Sequence, residues 1–138
     1  MKFERKINYY ETDKMCFVHH SNYVRYFEEA RVYLLDKFGL NYARLEERGI
    51  IIPVLEFNVK YHRHLGFDDT IVIDTKIKDF NGIKMTIEYT ASNKANGELT
   101  TTGASAHCFL DANTYRPLNM KKSFPDIYEK LKQIQEEL

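Results

Sequence analysis

Residues 9–31, Tyr-Tyr-Glu-Thr-Asp-Lys-Met-Cys-Phe-Val-His-His-Ser-Asn-Tyr-Val-Arg-Tyr-Phe-Glu-Glu-Ala-Arg, place an acidic residue, a thiol and two histidines in the connection ahead of an apolar-periodic segment. From Asn22 to Phe38, Tyr23, Phe27, Ala30, Leu34 and Phe38 recur at three- and four-residue steps. Arg25, Glu28, Glu29, Asp36 and Lys37 fall mostly off that stripe, which is the spacing of an amphipathic helix. Ser21 or Asn22 is placed to cap it by accepting an early backbone N–H, and Gly39 to end it in a left-handed conformation. A helix N-terminus carries roughly half a positive charge and unpaired N–H donors, a setting that suits an oxygen becoming negative during reaction. With Asp13 ending the segment before the turn, the stretch has the parts of an acyl-transfer or hydrolysis site.

Working outward, Phe3 to Tyr10 alternates apolar and charged residues and predicts a strand. Asn41 to Arg48 predicts a short helix closed by Gly49. After Gly49 the period changes to two: Leu55, Phe57, Val59 and Tyr61 alternate with Glu56, Asn58, Lys60 and His62, predicting a long strand with its apolar face buried. A turn over Gly66 to Asp69 precedes a third strand, in which Ile71, Ile73, Thr75 and Ile77 alternate with polar residues and Val72. Asn81-Gly82 predicts a type I′ hairpin into a strand over residues 83–91, and Asn96-Gly97 marks the next turn. Leu99 to Leu110 predicts a fifth strand in which Gly103 marks a bulge or a close backbone approach. Ser123 to Asp126 has the pattern of a capping box opening a last helix, whose stripe is Ile127, Leu131, Ile134 and Leu138. The expected order is strand, long helix, short helix, four strands as an antiparallel meander, and a peripheral helix. Burying the long helix against the sheet gives a single α+β domain over residues 1–138.

Twenty Lys and Arg balance twenty Asp and Glu, so no overall field draws the chain to nucleic acid. Cys16 and Cys108 make neither a disulfide framework nor a paired metal signature. The charged opening Met-Lys-Phe-Glu-Arg-Lys lacks an export signal, and no apolar run approaches the ~20 residues of a membrane span. A cytoplasmic protein acting on a small molecule or a protein is the expectation.

Three runs then carry a family resemblance: Tyr10-Glu11-Thr12-Asp13, Val18-His19-His20-Ser21-Asn22-Tyr23, and Arg25-Tyr26-Phe27-Glu28-Glu29-Ala30-Arg31. Together they resemble the 4-hydroxybenzoyl-CoA thioesterase family of hotdog-fold acyl-CoA thioesterases. Lys60-Tyr61 with Gly66-Phe67-Asp68-Asp69, and Arg116-Pro117, sit where that family has later landmarks, so the likeness covers nearly the whole chain. It implies a hotdog fold, in which the sheet wraps the long helix, and a homodimer or homotetramer with active sites at the interface of paired sheets. It implies Asp13 as the catalytic carboxylate and the backbone N–H of His20 as the donor that polarises the thioester carbonyl. Asn22, Tyr23 and Phe27 are the implied substrate contacts, the last two also serving as core. The family commonly has glycine where this chain has Cys16, a change read as narrowing the substrate passage.

A thioester is already activated toward water, so a positioned carboxylate and an electrophilic hole suffice and no triad is needed. Asp13 can act as general base or as nucleophile through a short-lived anhydride; its plain structural role would be to cap a turn. Cys16 beside His19 or His20 is a rival nucleophile, set against the commoner role of a small buried residue. Cys108 reads as packing. His62 and His64 share a strand face and could hold a metal with a carboxylate, but no matching ligand spacing exists elsewhere, so neither metal nor cofactor is expected. Glu28 and Glu29 are second-choice carboxylates, Glu28 reading more simply as an i,i+3 partner of Arg31. Arg63, Lys84, Arg116, Lys121 and Lys122 are available for coenzyme A phosphates, with no spacing to choose among them. The functional expectation is hydrolysis of an acyl-CoA or acyl-carrier-protein thioester. A non-catalytic acyl-thioester binder and a dehydratase of β-hydroxyacyl thioesters are the alternatives on the same fold.

Overall fold

The computed structural model describes all of residues 1–138. Its elements in chain order are β1 (Lys2–Lys6), a 3-10 turn (Tyr9–Glu11), α1 (Asn22–Lys37), α2 (Tyr42–Glu47), β2 (Ile50–Ile51), β3 (Val54–Tyr61), β4 (Thr70–Phe80), β5 (Lys84–Asn93), β6 (Leu99–Cys108), β7 (Leu110–Asp111), α3 (Met120–Ser123) and α4 (Pro125–Glu137). Five antiparallel strands form one sheet in the order β1-β4-β5-β6-β3, and β2 pairs with β7 apart from it. α1 lays Tyr23, Tyr26, Phe27, Ala30, Leu34 and Leu35 against this sheet, burying the stripe read from the sequence. α4 buries Ile127, Leu131 and Ile134, and no helix is long and apolar enough to cross a membrane.

The meander holds for β4, β5 and β6 but not for β3, which lies at the far edge beside β6. Both sides of β4 are taken: the Asn81-Gly82 hairpin brings β5 to one, and β1 occupies the other with Phe3 opposite Ile73. The connection after β3 therefore crosses rather than turning back, held by Val18 N–H to Leu65 O and Ile7 N–H to Asp69 O, both 2.8 Å. β3 is consequently an edge strand, and the face expected to be buried is half open, with Leu55 54% and Tyr61 52% exposed.

Other local expectations change for identifiable reasons. β1 stops at Lys6 because the Glu11 carboxylate accepts the Asn8 N–H at 2.8 Å and closes the Tyr9–Glu11 turn. Only Gly82 takes positive φ in the β4–β5 hairpin; the Asn81 side chain instead accepts from the N–H groups of Ile83 and Lys84, so the turn is not type I′. Ser123 caps nothing: α4 starts on Pro125, which has no N–H to satisfy, and Arg48 pairs through two nitrogens with Asp126. Gly39 and Gly49 do close α1 and α2 with positive φ.

Gly103 is a close approach and not a bulge. It pairs in register with Val59 and Tyr89, and a Cβ there would lie 2.8 Å from Cε2 of Phe27 and 3.0 Å from Asn58 O. Phe27 stacks almost parallel on Tyr89, 4.7 Å between centroids, with Phe57 beyond. Beside this stack runs a buried polar chain: Arg31 donates to Tyr42 (3.1 Å) and Tyr89 (2.9 Å), Tyr89 meets Ser105 (2.7 Å), and Ser105 meets Nε2 of His107 (2.7 Å). A guanidinium can only donate, so Tyr89 accepts from Arg31 and keeps its own proton for Ser105; the chain is completed with Ser105 donating to Nε2 of a neutral His107. Burial, with the nearby Arg31 charge, pushes the His107 pKa down to about 4.

The unfolded chain takes a proton at this histidine near pH 6.5 and the folded one resists until about pH 4, so its stability contribution is complete above 6.5 and drains away across that window. We expect urea unfolding of wild type to lose about 3 kcal/mol more than His107→Gln between pH 7 and pH 4. Parallel acid slopes for the two proteins would refute the assignment.

Candidate active site

The connection from Asp13 to Ser21 is built almost wholly from backbone hydrogen bonds. Asp13 N–H donates to Phe17 O (2.8 Å), Cys16 N–H to Asp13 O (3.0 Å), and Met15 N–H to Oδ1 of Asp13 (2.8 Å). Residues 13–17 thus form a tight loop closed by the Thr12–Val18 bridge, with one carboxylate oxygen anchored and Oδ2 bonded to no group of the chain. Cys16 sits in this loop at φ 64°, a conformation that costs an L residue about 1–2 kcal/mol and that glycine adopts freely. Left-handed backbone is therefore the physical reason glycine suits the position. The Cys16 thiol is exposed and hydrogen-bonds neither His19 nor His20, so the rival dyad is not assembled.

The start of α1 is held from the other side. Glu11 O accepts both His19 N–H (2.8 Å) and Nδ2 of Asn22 (2.9 Å), while the Glu11 carboxylate pairs with Arg5 of β1. Arg5 also reaches Glu29 and lies over the Tyr26 ring, 4.6 Å from its centroid, so it clamps turn and helix together. The expected side-chain cap is missing: Ser21 is itself helical, its hydroxyl bonded to Nδ1 of His19. Among the backbone N–H groups from Val18 to Tyr23, Val18 donates to Leu65 O, His19 to Glu11 O, Ser21 to Nδ1 of His19, Asn22 to His19 O and Tyr23 to His20 O. The N–H of His20 alone has no partner in the chain.

These groups border one cleft of about 380 Å³, lined by Asp13, Met15, Phe17, Val18, His20, Tyr23, Tyr61, His62, Arg63 and His64. Asp13, His20 and Tyr23 of the expected site residues are brought together there. Asn22 and Phe27 are not: Asn22 is buried with its amide on Glu11 O, and Phe27 is enclosed in the aromatic stack. The segment after β3 supplies the opposite wall, with His64 stacked on Phe17 at 3.9 Å and Tyr61 donating to His20 O at 3.1 Å. His62 bonds Thr102, and no cluster of three or more His, Cys, Asp or Glu suited to a metal is present. Sequence reading missed Tyr61 and Phe17 as wall residues. The signal for Tyr61 was its place at the end of a strand, followed by two histidines at two-residue spacing.

Residues 7–135 match the family model described as the thioesterase-like superfamily, and the chain belongs to that superfamily. YneP of Bacillus subtilis, which carries a provisional acyl-CoA thioesterase name, is 37% identical over 134 residues, 95% of this chain and 96% of YneP. YbgC of Escherichia coli O157:H7, named an acyl-CoA thioester hydrolase, is 25% identical over 118 residues, 86% of this chain and 87% of YbgC. The solved structure of a DHNA-CoA thioesterase from Staphylococcus aureus superposes with a TM-score of 0.91 at 32% identity, covering 98% of this chain and 90% of that one. The hotdog α+β fold expected from the sequence is the one these comparisons bear out.

Replacing Cys16 by glycine removes the left-handed penalty at the expense of a looser unfolded chain. Cys16→Gly should raise stability by up to about 1 kcal/mol in thermal unfolding. A lowered melting temperature would mean that the thiol packs in a way its exposure does not suggest.

Proposed function

We propose that this protein is an acyl-CoA thioesterase in which Asp13 and the His20 N–H act on the two sides of the thioester carbonyl. The observation that carries this reading is the pairing, in one cleft, of an unengaged carboxylate oxygen with the one unpartnered N–H at the start of α1. Asp13 Oδ2 takes a proton from water as its oxygen bonds to the acyl carbon. The carbonyl oxygen becomes an oxyanion held by the His20 N–H and the positive end of α1. Collapse re-forms the C=O bond and breaks the C–S bond, and the departing sulfur takes up the proton held by Asp13, so the thiol leaves with the free acid and the carboxylate is restored. In the nucleophilic variant the Asp13 oxygen bonds to the acyl carbon, the C–S bond breaks to release the thiolate, and water then opens the resulting anhydride to the free acid and the restored Asp13 carboxylate. The ring-rich wall of Phe17, Tyr23, Tyr61 and His64 puts aromatic acyl groups beside aliphatic ones in the substrate panel. Carrier-protein esters are the second leaving group to test. Two unpaired thiols fit a reducing cytoplasm.

Asp13→Asn keeps the Met15 N–H acceptor but cannot serve as base or nucleophile. It should lower kcat for thiol release at least ~100-fold while circular dichroism stays unchanged. A folded variant that still turns over would remove Asp13 from the chemistry. In a single turnover in oxygen-18 water, label in the Asp13 carboxylate establishes an anhydride opened by water at the aspartyl carbon, whereas direct attack of water places the label only in the released acid.

The expected homo-oligomer is supported by β3, an edge strand with Val54 46% and Leu55 54% exposed, since an apolar edge left unpaired invites another copy. Light scattering should find wild type larger than a monomer and Leu55→Lys shifted toward one. A monomeric wild type would refute pairing at this edge.

A further inference from the structure

Two flanking peptides fix the direction of the His20 N–H. The first, between His19 and His20, is held by its carbonyl, which accepts Asn22 N–H at 2.9 Å. The second, between His20 and Ser21, has its N–H on Nδ1 of His19 at 3.3 Å and its carbonyl facing the sheet. That carbonyl receives a long bond from Tyr23 N–H (3.4 Å) and a shorter one from the Tyr61 hydroxyl (3.1 Å). Tyr61 is the last residue of β3, opposite Thr101 of β6, so its backbone belongs to the rigid sheet. Its ring meets Tyr23 edge to face, 5.4 Å between centroids, which aims the hydroxyl at the turn.

We propose that Tyr61 is a positioning residue of the reaction: by bonding His20 O it holds residue 20 so that the neighbouring N–H points at the developing oxyanion. The inference rests on the reading of the His20 N–H as oxyanion donor. A donor tied to the sheet needs no reorganisation as charge develops, which is what makes a single N–H effective. Partial burial raises the Tyr61 pKa above the ordinary tyrosine value, so the hydroxyl keeps the proton it donates. The side chain is half exposed and contributes little to packing, so removing its oxygen leaves the fold in place.

Tyr61→Phe keeps the ring against Tyr23 and deletes one hydrogen bond. We expect kcat for acyl-CoA hydrolysis to fall ~10-fold with KM and melting temperature unchanged, because a small misdirection of a catalytic group is costly in rate. A spectroscopic arm reads the carbonyl itself. A thioester carrying carbon-13 at its C=O, bound to Asp13→Asn, should show an infrared band lowered from its free value, and adding Tyr61→Phe should move the band back toward that value. An unchanged kcat, a loss confined to KM, or the same band in both variants would overturn the inference; a KM effect would make Tyr61 a direct substrate contact. Should wild type release no thiol, the hydrolase reading falls separately, while the band position still decides the role of Tyr61 because it needs only bound ester.

Discussion

Glu11 is the residue on which the site hangs, and it acts through both its ends. Its carboxylate, nearly buried, pairs with Arg5 and closes the 3-10 turn on Asn8. Burial alone would raise that pKa, but the Arg5 guanidinium and the Asn8 N–H outweigh it and hold the group ionised. Its carbonyl receives His19 N–H and the Asn22 amide, so one residue ties β1 to the start of α1. A partly buried ion pair of this kind contributes little net stability, because desolvation offsets most of the attraction. Its effect is geometric. With the chain fixed at Glu11 on one side and Val18 on the other, the Asp13 loop has few conformations left, and the left-handed Cys16 is one consequence.

The sheet accommodates this arrangement by giving up a side chain at one point. Phe27 can press onto β6 only because Gly103 has no Cβ, and that contact sets how deeply α1 sinks into the sheet. Depth in turn places Arg31, one helical turn later, within reach of Tyr89. The buried guanidinium finds hydroxyls there, its one carboxylate contact being the mostly exposed Glu28 at 3.7 Å. The pair expected from i,i+3 spacing exists, yet it is the weaker half of what Arg31 does. Because every link in the chain from Arg31 to His107 depends on a donor direction, the network admits one packing of α1 on β5 and β6.

Much of this was legible from residue order and spacing. The helix stripe from Tyr23 to Leu34, the hairpin at Asn81-Gly82 and the glycine ends of both early helices follow from local periodicity and backbone freedom, and they stand in the structure. What failed was nonlocal. Nothing within β3 says that its partner is β6, because that choice is made by β1 and β5 occupying both sides of β4. Leu55 falls at a break in the β3–β6 register between Val54 and Glu56, so its exposure could not be read from alternation. Asp13 and His20, singled out through a family motif, both line the cleft, whereas Phe27 and Asn22 are held away from it by contacts with Gly103 and Glu11 O that spacing does not encode. Arg31 shows the same limit, since its hydroxyl partner Tyr89 lies 58 residues away.

The proposed thioester chemistry accounts for how little of the candidate site is side chain. The bond to sulfur is weak enough that water needs only direction and a place for negative charge, and in the proposed reading the His20 N–H is that place. A donor that belongs to the main chain cannot be lost by substitution, only misdirected. The imidazoles of His19 and His20 lie tilted against each other with centroids 4.1 Å apart, and Nδ1 of His19 holds the Ser21 N–H, so the His19 ring supports the turn. In the proposed reading, selection among acyl groups falls instead to side chains that touch the cleft, the Phe17 ring on the loop and His62 and His64 on the opposite wall. His64 and Phe17 come from different segments and meet face to face, so a change in either moves the wall while leaving the Glu11 anchorage intact. Direction in this reading comes from backbone hydrogen bonds and substrate choice from ring packing, and Phe17 joins the two through its carbonyl and its ring. Tyr61 joins them through a side chain, lining the cleft while its hydroxyl holds His20 O, and in the proposed reading it is there that a change of substrate wall would also be felt in rate.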